Sequence, residues 1–165
     1  MDELLLVRPS PVHAGAYRAA LAEFHAEGRL LDVHPDGVLA HIQELRLSAL
    51  YPGQYGVCES VYWGLVAGDF VGRVNLRHEL TPELTAWGGH IGYEVRPSRR
   101  REGHGHALLR GVLPQARALG LTRALLTCRA DNAASLRIIE AAGGVLEDTV
   151  YGPEGEGRRY WIGLT

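Results

Sequence analysis

The sequence predicts an α/β (α+β) protein, and three observations lead to that fold class. Segments with strand-like and helix-like spacing of apolar residues alternate along the chain. A strand, a glycine-containing turn, a helix and a second strand follow one another between His90 and Ala130, as in a crossover connection. The 165 residues, 46% hydrophobic and 22% charged, can bury a real core and contain no repeat, linker or low-complexity stretch. We therefore expect a single domain over residues 1–165.

The first half of the chain is predicted to hold three strands and two helices. Pro9 should end the first strand, because proline cannot donate a hydrogen bond to a sheet. Tyr17, Leu21 and Phe24 recur at helical spacing, and Gly28 follows as a helix stop. The predicted elements are a strand at Leu4–Pro9, helices at Val12–Glu27 and Asp36–Leu50, and strands at Ser60–Val66 and Phe70–Leu80 joined by a turn at residues 67–69.

The second half is predicted to alternate strands and helices and to end in a hairpin. Pro97 ends one strand, and Pro114 should bend or split the helix that contains it. Gly120 and Gly143 are the expected helix stops. The predicted elements are a loop at 81–89, a strand at His90–Val95, a helix at Ala107–Leu119, a strand at Ala124–Ala130, a helix from Asp131 or Asn132 through Ala142, and a terminal hairpin across GPEGEG.

Composition excludes several classes of function. A net charge of −2 argues against a broad nucleic-acid-binding surface. The start, MDELLLVRPSP, has an apolar run too short for a signal peptide or a membrane span. Two cysteines without motif spacing indicate a reducing cytoplasm, and no His/Cys cluster has the spacing of a metal site. All 17 basic residues are arginine, so no mechanism can use a lysine.

The segment RREGHGHALLRG, from Arg100 to Gly111, has the features of an anion-binding turn. The start of the following helix offers unpaired N–H groups and a partial positive charge. Gly103 and Gly105 would let an anion approach the backbone, and the arginines at 99–101 add charge. The dinucleotide fingerprint fails at Leu108, and a P-loop needs a lysine. By itself, this pattern is equally compatible with an ordinary strand–helix turn.

A longer pattern is more specific. The chain resembles the GNAT superfamily of N-acetyltransferases, in the bacterial branch with unassigned substrates, over Phe70–Gly144 and more loosely beyond. The resemblance implies a mixed, mostly antiparallel sheet of six to seven strands, with a splayed central parallel pair and about four flanking helices. The residues that carry the resemblance are Val95-x-Pro97-x-x-Arg100-x-x-Gly103-x-Gly105-x-Ala107-Leu108-Leu109 for motif A, and Asp131-Asn132-x-x-Ser135 with Ala142-Gly143-Gly144 for motif B.

The resemblance also implies a cofactor and its binding residues. The co-substrate would be acetyl-CoA or another acyl-CoA, with no metal. Its pantetheine arm would pair with the backbone near Tyr93 and Val95, and the N–H of Val95 would polarise the thioester carbonyl. Asn132 would contact the pantetheine or order the second loop. The diphosphate would lie on backbone amides near Arg100, contributed by Arg101, Gly103, His104, Gly105 and His106.

The expected reaction is acyl transfer to an amine of a small molecule or peptide. A substrate ammonium has a pKa of about 10, so a base must remove its proton before attack. Glu94 is the first candidate, although strand alternation places it opposite Tyr93 and Val95. His78, His90 and an ordered chain of water molecules remain alternatives.

One position departs from the family pattern. Ile139 stands where the family often has a tyrosine that protonates the leaving thiolate, so Tyr151, Tyr160, Cys128 or no residue would serve. Trp87 is a candidate for the acceptor pocket. Two other functions stay open: a non-catalytic acyl-CoA sensor on the same fold, and a different phosphate-ligand enzyme such as a nucleotide-binding protein. A homodimer is possible.

Overall fold

The computed structural model describes residues 2–165. Within them, seven strands and five α-helices follow one another, with short 3₁₀ turns at Pro11–His13, Pro35–Gly37 and Pro97–Arg99. In chain order the elements are β1 (Leu5–Val7), α1 (Ala14–Ala26), α2 (Val38–Leu47), β2 (Glu59–Val66), β3 (Asp69–Arg77), α3 (Pro82–Ala86), β4 (Ile91–Val95), α4 (His104–Ala118), β5 (Arg123–Arg129), α5 (Ala133–Ala141), β6 (Val145–Gly152) and β7 (Gly155–Gly163).

The strands form two antiparallel sheets, in the orders β1-β2-β3-β4 and β5-β7-β6. The sheets meet where β4 begins. There Gly89 and Leu126 form an isolated bridge of antiparallel type, and the N–H of His90 donates to the carbonyl of Leu125 at 2.8 Å. The predicted α/β class with a mostly antiparallel seven-stranded arrangement is confirmed. The predicted central parallel pair corresponds to β4 and β5, which form no parallel ladder within the described chain.

A side chain explains why no ladder forms at this junction. The ring nitrogen Nδ1 of His90 accepts the N–H of Leu125 at 2.9 Å, so that amide has a side-chain partner instead of a strand partner. His90 is 5% exposed. It therefore holds the two sheets together where they meet.

Helices cover both faces of the first sheet, as strand alternation requires. On one face, α1 and α2 enclose an aromatic cluster in which the Tyr17 and Trp63 rings stack at 4.6 Å, with Phe70 edge-on to both. On the other face, Leu108 of α4 and Ile139 of α5 belong to a core shared with β3, β4 and the second sheet. The two cores lie on opposite faces of the first sheet, and β4, the last strand of that sheet, has its edge between them.

Several predicted elements differ from the structure in their bounds, and three of the differences have a clear local cause. The segment 81–89, predicted as a loop, contains α3, because Thr81 caps it through the N–H of Leu84 and Pro82 occupies its first turn. Helix α4 begins at His104 and is not split by Pro114. Proline removes only one helical hydrogen bond, and burial of Val112 and Ala116 keeps the helix packed. Helix α2 is shorter than the predicted Asp36–Leu50, because a 3₁₀ turn replaces its start and hydrogen-bonded turns replace its last residues.

Protonation of His90 is expected to destabilise the fold. Burial, and then the nearby charge of Arg77, lowers the pKa of His90 from 6.5 to about 4. The unfolded chain therefore binds a proton that the folded chain excludes, so this stability is complete above pH 6.5 and is lost as the pH falls toward 4. Between about pH 7.5 and about pH 5 the loss should be about 2 kcal/mol in urea unfolding.

The matched control is His90→Asn, whose side-chain oxygen can accept the N–H of Leu125 but does not titrate. We expect the variant to lose less stability than the wild type between the two pH values. Equal losses in both proteins would show that His90 does not cause the pH dependence.

Candidate functional site

A cleft of about 750 Å³ lies beside the end of β4, between the turn that leads into α4 and the start of α5. All nine residues predicted to bind the cofactor line it, together with Glu94. Their proximity is observed, whereas their roles remain predictions. The lining residues are Arg29, Tyr93, Glu94, Val95, Arg100, Arg101, Gly103, His104, Gly105, His106, Asn132, Ala134, Ser135, Arg137 and Ile138.

The start of α4 forms one end of the cleft. Gly103 occupies the N-cap position with φ of +85°, and no side chain caps the first turn. A Cβ at Gly103 would meet no atom within 4 Å, so the space beside it is open. A Cβ at Gly105 would come within 2.7 Å of Ile138, so α4 and α5 approach closely here. The uncapped helix end presents N–H groups and a partial positive charge suited to an anion.

The open edge of β4 forms the wall of the cleft. The N–H of Arg96 donates to Val71 at 2.8 Å, and the carbonyl of His90 accepts from Arg77 at 2.7 Å, so these even-numbered residues bond to β3. By strand alternation the N–H and C=O groups of Tyr93 and Val95 point the other way. An extended, amide-rich ligand could hydrogen-bond to them as an added strand.

Positive charge predominates among the lining residues. Four of them are arginines, and Glu94 is the one carboxylate among those described. Arg100 is already paired, donating to both carboxylate oxygens of Glu27 at 2.9 and 2.8 Å. The predicted contact between Arg100 and a diphosphate would therefore compete with the ion pair between Arg100 and Glu27.

Glu94 is held by two guanidinium groups. Its Oε1 accepts from Nε of Arg73 at 2.8 Å and its Oε2 accepts from Arg29. The side chain of Glu94 is 11% exposed, and Arg73 is its neighbour across the β3–β4 ladder. Each oxygen therefore accepts a hydrogen bond from a guanidinium group, so an acceptor that approaches Glu94 must share it with an arginine or displace one. Arg29, with a side chain 45% exposed, is the freer of the two.

Tyr93 and Ser135 bring two hydroxyl groups together on the cleft wall. Their oxygens lie 2.7 Å apart, and burial raises the pKa of Tyr93 to about 12. The phenol is therefore protonated at neutral pH and can donate. The N–H of Ser135 donates to the side-chain oxygen of Asn132 at 3.1 Å, so Asn132 caps α5 and fixes the turn that carries Ser135.

The rival bases lie elsewhere. Nε2 of His78 is 2.7 Å from the hydroxyl of Ser60, and burial lowers its pKa. His90 lies at the sheet junction. Neither histidine is among the residues that line the cleft.

The candidate substitutes for the family tyrosine also lie outside the cleft lining. Ile139, at the tyrosine position, is buried in the core. Tyr151 is 81% exposed on the terminal hairpin, the hydroxyl of Tyr160 donates to Glu140 at 2.9 Å, and Cys128 is buried with a raised pKa. The hydroxyl groups on the cleft wall come instead from Tyr93 and Ser135.

Trp87 lines a second cavity of about 170 Å³ beside the β6–β7 turn, with Arg129 and Glu154 among its neighbours. Its ring packs against Gly157, where a Cβ would lie 2.2 Å from it. A part for Trp87 in acceptor binding remains a prediction.

Sequence reasoning gave Ser135 no role beyond its place in motif B, and it missed Arg29, Ala134, Arg137 and Ile138. The last three could have been found, because positions 134–135 and 137–138 share one face of a helix capped by Asn132. Arg29 follows α1, and nothing in the local sequence marks it as a cleft residue.

The sequence matches the family model described as the acetyltransferase (GNAT) domain over residues 4–145. This protein belongs to the GNAT acetyltransferase family. The predicted family and enzyme class are therefore confirmed. No curated protein matches the chain.

Solved structures share the fold. The Salmonella typhimurium acetyltransferase that modifies the N-terminal serine of a 50S ribosomal subunit protein is 20% identical with a TM-score of 0.71, and the alignment covers 100% of this chain and 97% of that one. The microcin C7 self-immunity acetyltransferase MccE, in complex with acetyl-CoA and AMP, is 13% identical with a TM-score of 0.77, covering 99% and 94%. RimL in complex with coenzyme A is 18% identical with a TM-score of 0.69, covering 99% and 96%.

Residues 2–165 hold no candidate for a membrane-spanning helix or a metal-binding cluster. None of the helices there combines the length and the apolar character needed to cross a membrane. No group of three or more His, Cys, Asp or Glu residues in that range could hold a metal ion.

Proposed function

We propose that the protein transfers an acetyl group from acetyl-CoA to an amine of a small molecule or peptide, by direct attack of the amine on the thioester. The observation that carries the proposal is the cleft itself, in which an uncapped helix end with excess positive charge adjoins the open edge of β4. CoA offers a diphosphate to the first and an amide-rich arm to the second. CoA and acetyl-CoA are bound in two of the similar structures.

In this proposal the first turn of α4 binds the diphosphate through the amides of residues 101–106. The pantetheine arm pairs with Tyr93 and Val95, which brings the thioester carbonyl to the N–H of Val95. When the amine attacks, negative charge develops on the carbonyl oxygen, and this fixed N–H stabilises it. The tetrahedral intermediate that this attack forms then collapses, and its carbon–sulfur bond breaks. The hydroxyl pair of Tyr93 and Ser135 then relays to the leaving thiolate the second proton that the attacking nitrogen loses, so that the amide and the free CoA thiol form and both hydroxyl groups are restored.

Glu94 takes the proton of the acceptor ammonium, directly or through water. Its carboxylate is the one carboxylate of the described cleft lining, and it adjoins Val95 in the chain. Arg29 and Arg73 hold it in place, and displacement of Arg29 by the incoming acceptor frees one oxygen. Glu94 therefore both positions the acceptor amine and removes its proton.

We expect Glu94→Gln to lower kcat/KM about 100-fold at neutral pH, because general-base catalysis contributes at least that much. The amide cannot accept the proton, so the variant should rely on acceptor that is already neutral, and its rate should rise steeply with pH toward the ammonium pKa of about 10. The KM for acetyl-CoA should stay close to that of the wild type. Steady-state kinetics over a pH series provides the measurement.

Ser135→Ala is the matched control, since it removes a polar group from the same cleft but leaves Glu94 intact. It should lower kcat and keep the pH dependence of the wild type. If Glu94→Gln lowers only the thermal stability and leaves the pH–rate profile unchanged, Glu94 is a structural residue and not the base.

Release of CoA thiol from acetyl-CoA, measured over polyamines, amino acids, aminoglycosides and peptide N-termini, tests the function as a whole. Turnover with any of these amines supports it. Tight binding of acetyl-CoA without turnover would favour a non-catalytic acyl-CoA sensor, which the aliphatic Ile139 motivates. Thermal stabilisation by ATP but not by CoA would favour the nucleotide-binding alternative.

We also propose that the protein acts in the cytoplasm. Both cysteines, Cys58 and Cys128, are free, and this supports a reducing compartment. A homodimer remains a prediction.

A further inference from the structure

The four arginines of the cleft fall into two pairs. Arg29 and Arg100 each form an ion pair with a carboxylate, Glu94 and Glu27 respectively. Within residues 2–165, Arg101 and Arg137 form no ion pair, although other arginines of the same turn do. Both are exposed residues that line the cleft. Their charges are therefore available to a ligand.

These two arginines lie on opposite sides of the same opening. Arg101 precedes the N-cap Gly103, with φ of +65°. Arg137 is the chain neighbour of Ile138, whose side chain would lie 2.7 Å from a Cβ at Gly105. Because adjacent Cα atoms are about 3.8 Å apart, Arg137 also lies close to the start of α4.

The order of groups along CoA decides which of its anions lies near Arg101 and Arg137. The inference rests on the proposed function, in which the pantetheine arm lies at β4 and the diphosphate at the first turn of α4. The remaining end of the cofactor, the adenosine with its ribose 3′-phosphate, then passes outward between the exposed sides of the α4 turn and α5. The backbone amides already serve the diphosphate, so the anion left for Arg101 and Arg137 is the 3′-phosphate.

We propose that Arg101 and Arg137 bind the 3′-phosphate of CoA from either side and so select CoA over carriers that lack this group. Guanidinium groups bind phosphate oxygens in pairs of hydrogen bonds, which gives both geometry and charge. The two ion-paired arginines, Arg29 and Arg100, face the α1 side of the cleft and take no part in this selection.

Isothermal titration calorimetry with CoA and with 3′-dephospho-CoA tests the inference. The wild-type chain should bind CoA at least about tenfold more tightly than dephospho-CoA. The double variant Arg101→Gln, Arg137→Gln should bind the two ligands equally, with the affinity that the wild type has for dephospho-CoA. Both side chains are exposed, so the variant should fold, and thermal unfolding checks this.

Arg110→Gln is the matched control, because Arg110 is an exposed arginine of α4 outside the cleft lining. It should keep the wild-type preference for CoA. Equal affinity of the wild type for both ligands, or a preference retained by the double variant, overturns the inference and leaves the proposed function standing. Failure of the wild type to bind either ligand overturns both.

Discussion

Gly103→Asp is expected to abolish acetyl-CoA binding while leaving the protein folded. A Cβ at this position meets no atom within 4 Å, and aspartate adopts positive φ more readily than most residues. Its carboxylate would occupy the N-cap position of α4 and accept hydrogen bonds from the amides that we assign to the diphosphate. The substitution therefore blocks the anion site with a group that also stabilises the helix.

Two losses set the expected decrease in the affinity for acetyl-CoA. The diphosphate loses its amide donors, and it meets a negative charge at the helix end. Together these should weaken binding by more than about 1000-fold, or about 4 kcal/mol. Titration calorimetry measures the affinity, and thermal unfolding should show a melting temperature close to that of the wild type, because capping of α4 offsets the cost of a positive φ at a residue other than glycine.

Gly103→Asn separates the two losses. It has nearly the same shape and can cap the helix, but it carries no charge, so it should weaken binding less than the aspartate variant does. If Gly103→Asp binds acetyl-CoA with unchanged affinity, the diphosphate does not lie at the start of α4, and the assigned cofactor site is wrong.

The sequence alone predicted which residues meet at the cleft, because their arrangement is local. Gly103 and Gly105 belong to one turn, and Tyr93 and Val95 belong to the strand just before it. The conformation of a turn between a strand and a helix depends mostly on its own residues. Motif spacing then places Asn132 on the far side of the crossover.

The ion pairs of the cleft could not be predicted in this way. Arg29 and Glu94 are separated by 65 residues, and Glu27 and Arg100 by 73. They meet because the aromatic cluster around Tyr17 packs α1 against the first sheet, and tertiary packing of this kind leaves no periodic signal. The same limit applies to His90, whose role depends on β5, a strand 35 residues away.

Gly89→Ala is expected to destabilise the fold more than a turn substitution ordinarily does. Gly89 has φ of +65°, and a Cβ there would lie 2.4 Å from the carbonyl oxygen of Leu125. The atoms in the way are backbone atoms of β5, so no side chain can rotate to make room. The two sheets would have to separate at the junction where His90 holds them.

Two costs add at this position. A left-handed conformation at a residue other than glycine costs about 1 kcal/mol, and forcing a methyl group into packed backbone costs about 1–3 kcal/mol more. We expect the free energy of unfolding to fall by about 3 kcal/mol, measured by urea denaturation. Movement of β4 away from β5 should also weaken acetyl-CoA binding, since β4 carries Tyr93 and Val95.

Gly68→Ala isolates the conformational cost. Gly68 lies in the turn between β2 and β3 with φ of +84°, and a Cβ there meets nothing within 4 Å. This variant should lose only about 1 kcal/mol and bind acetyl-CoA as the wild type does. If the two variants lose equal stability, the close approach of Gly89 to β5 contributes nothing. The junction would then not be the element that sets the distance between β4 and β5, and the width of the cleft would have to be set by the packing of α4 and α5 instead.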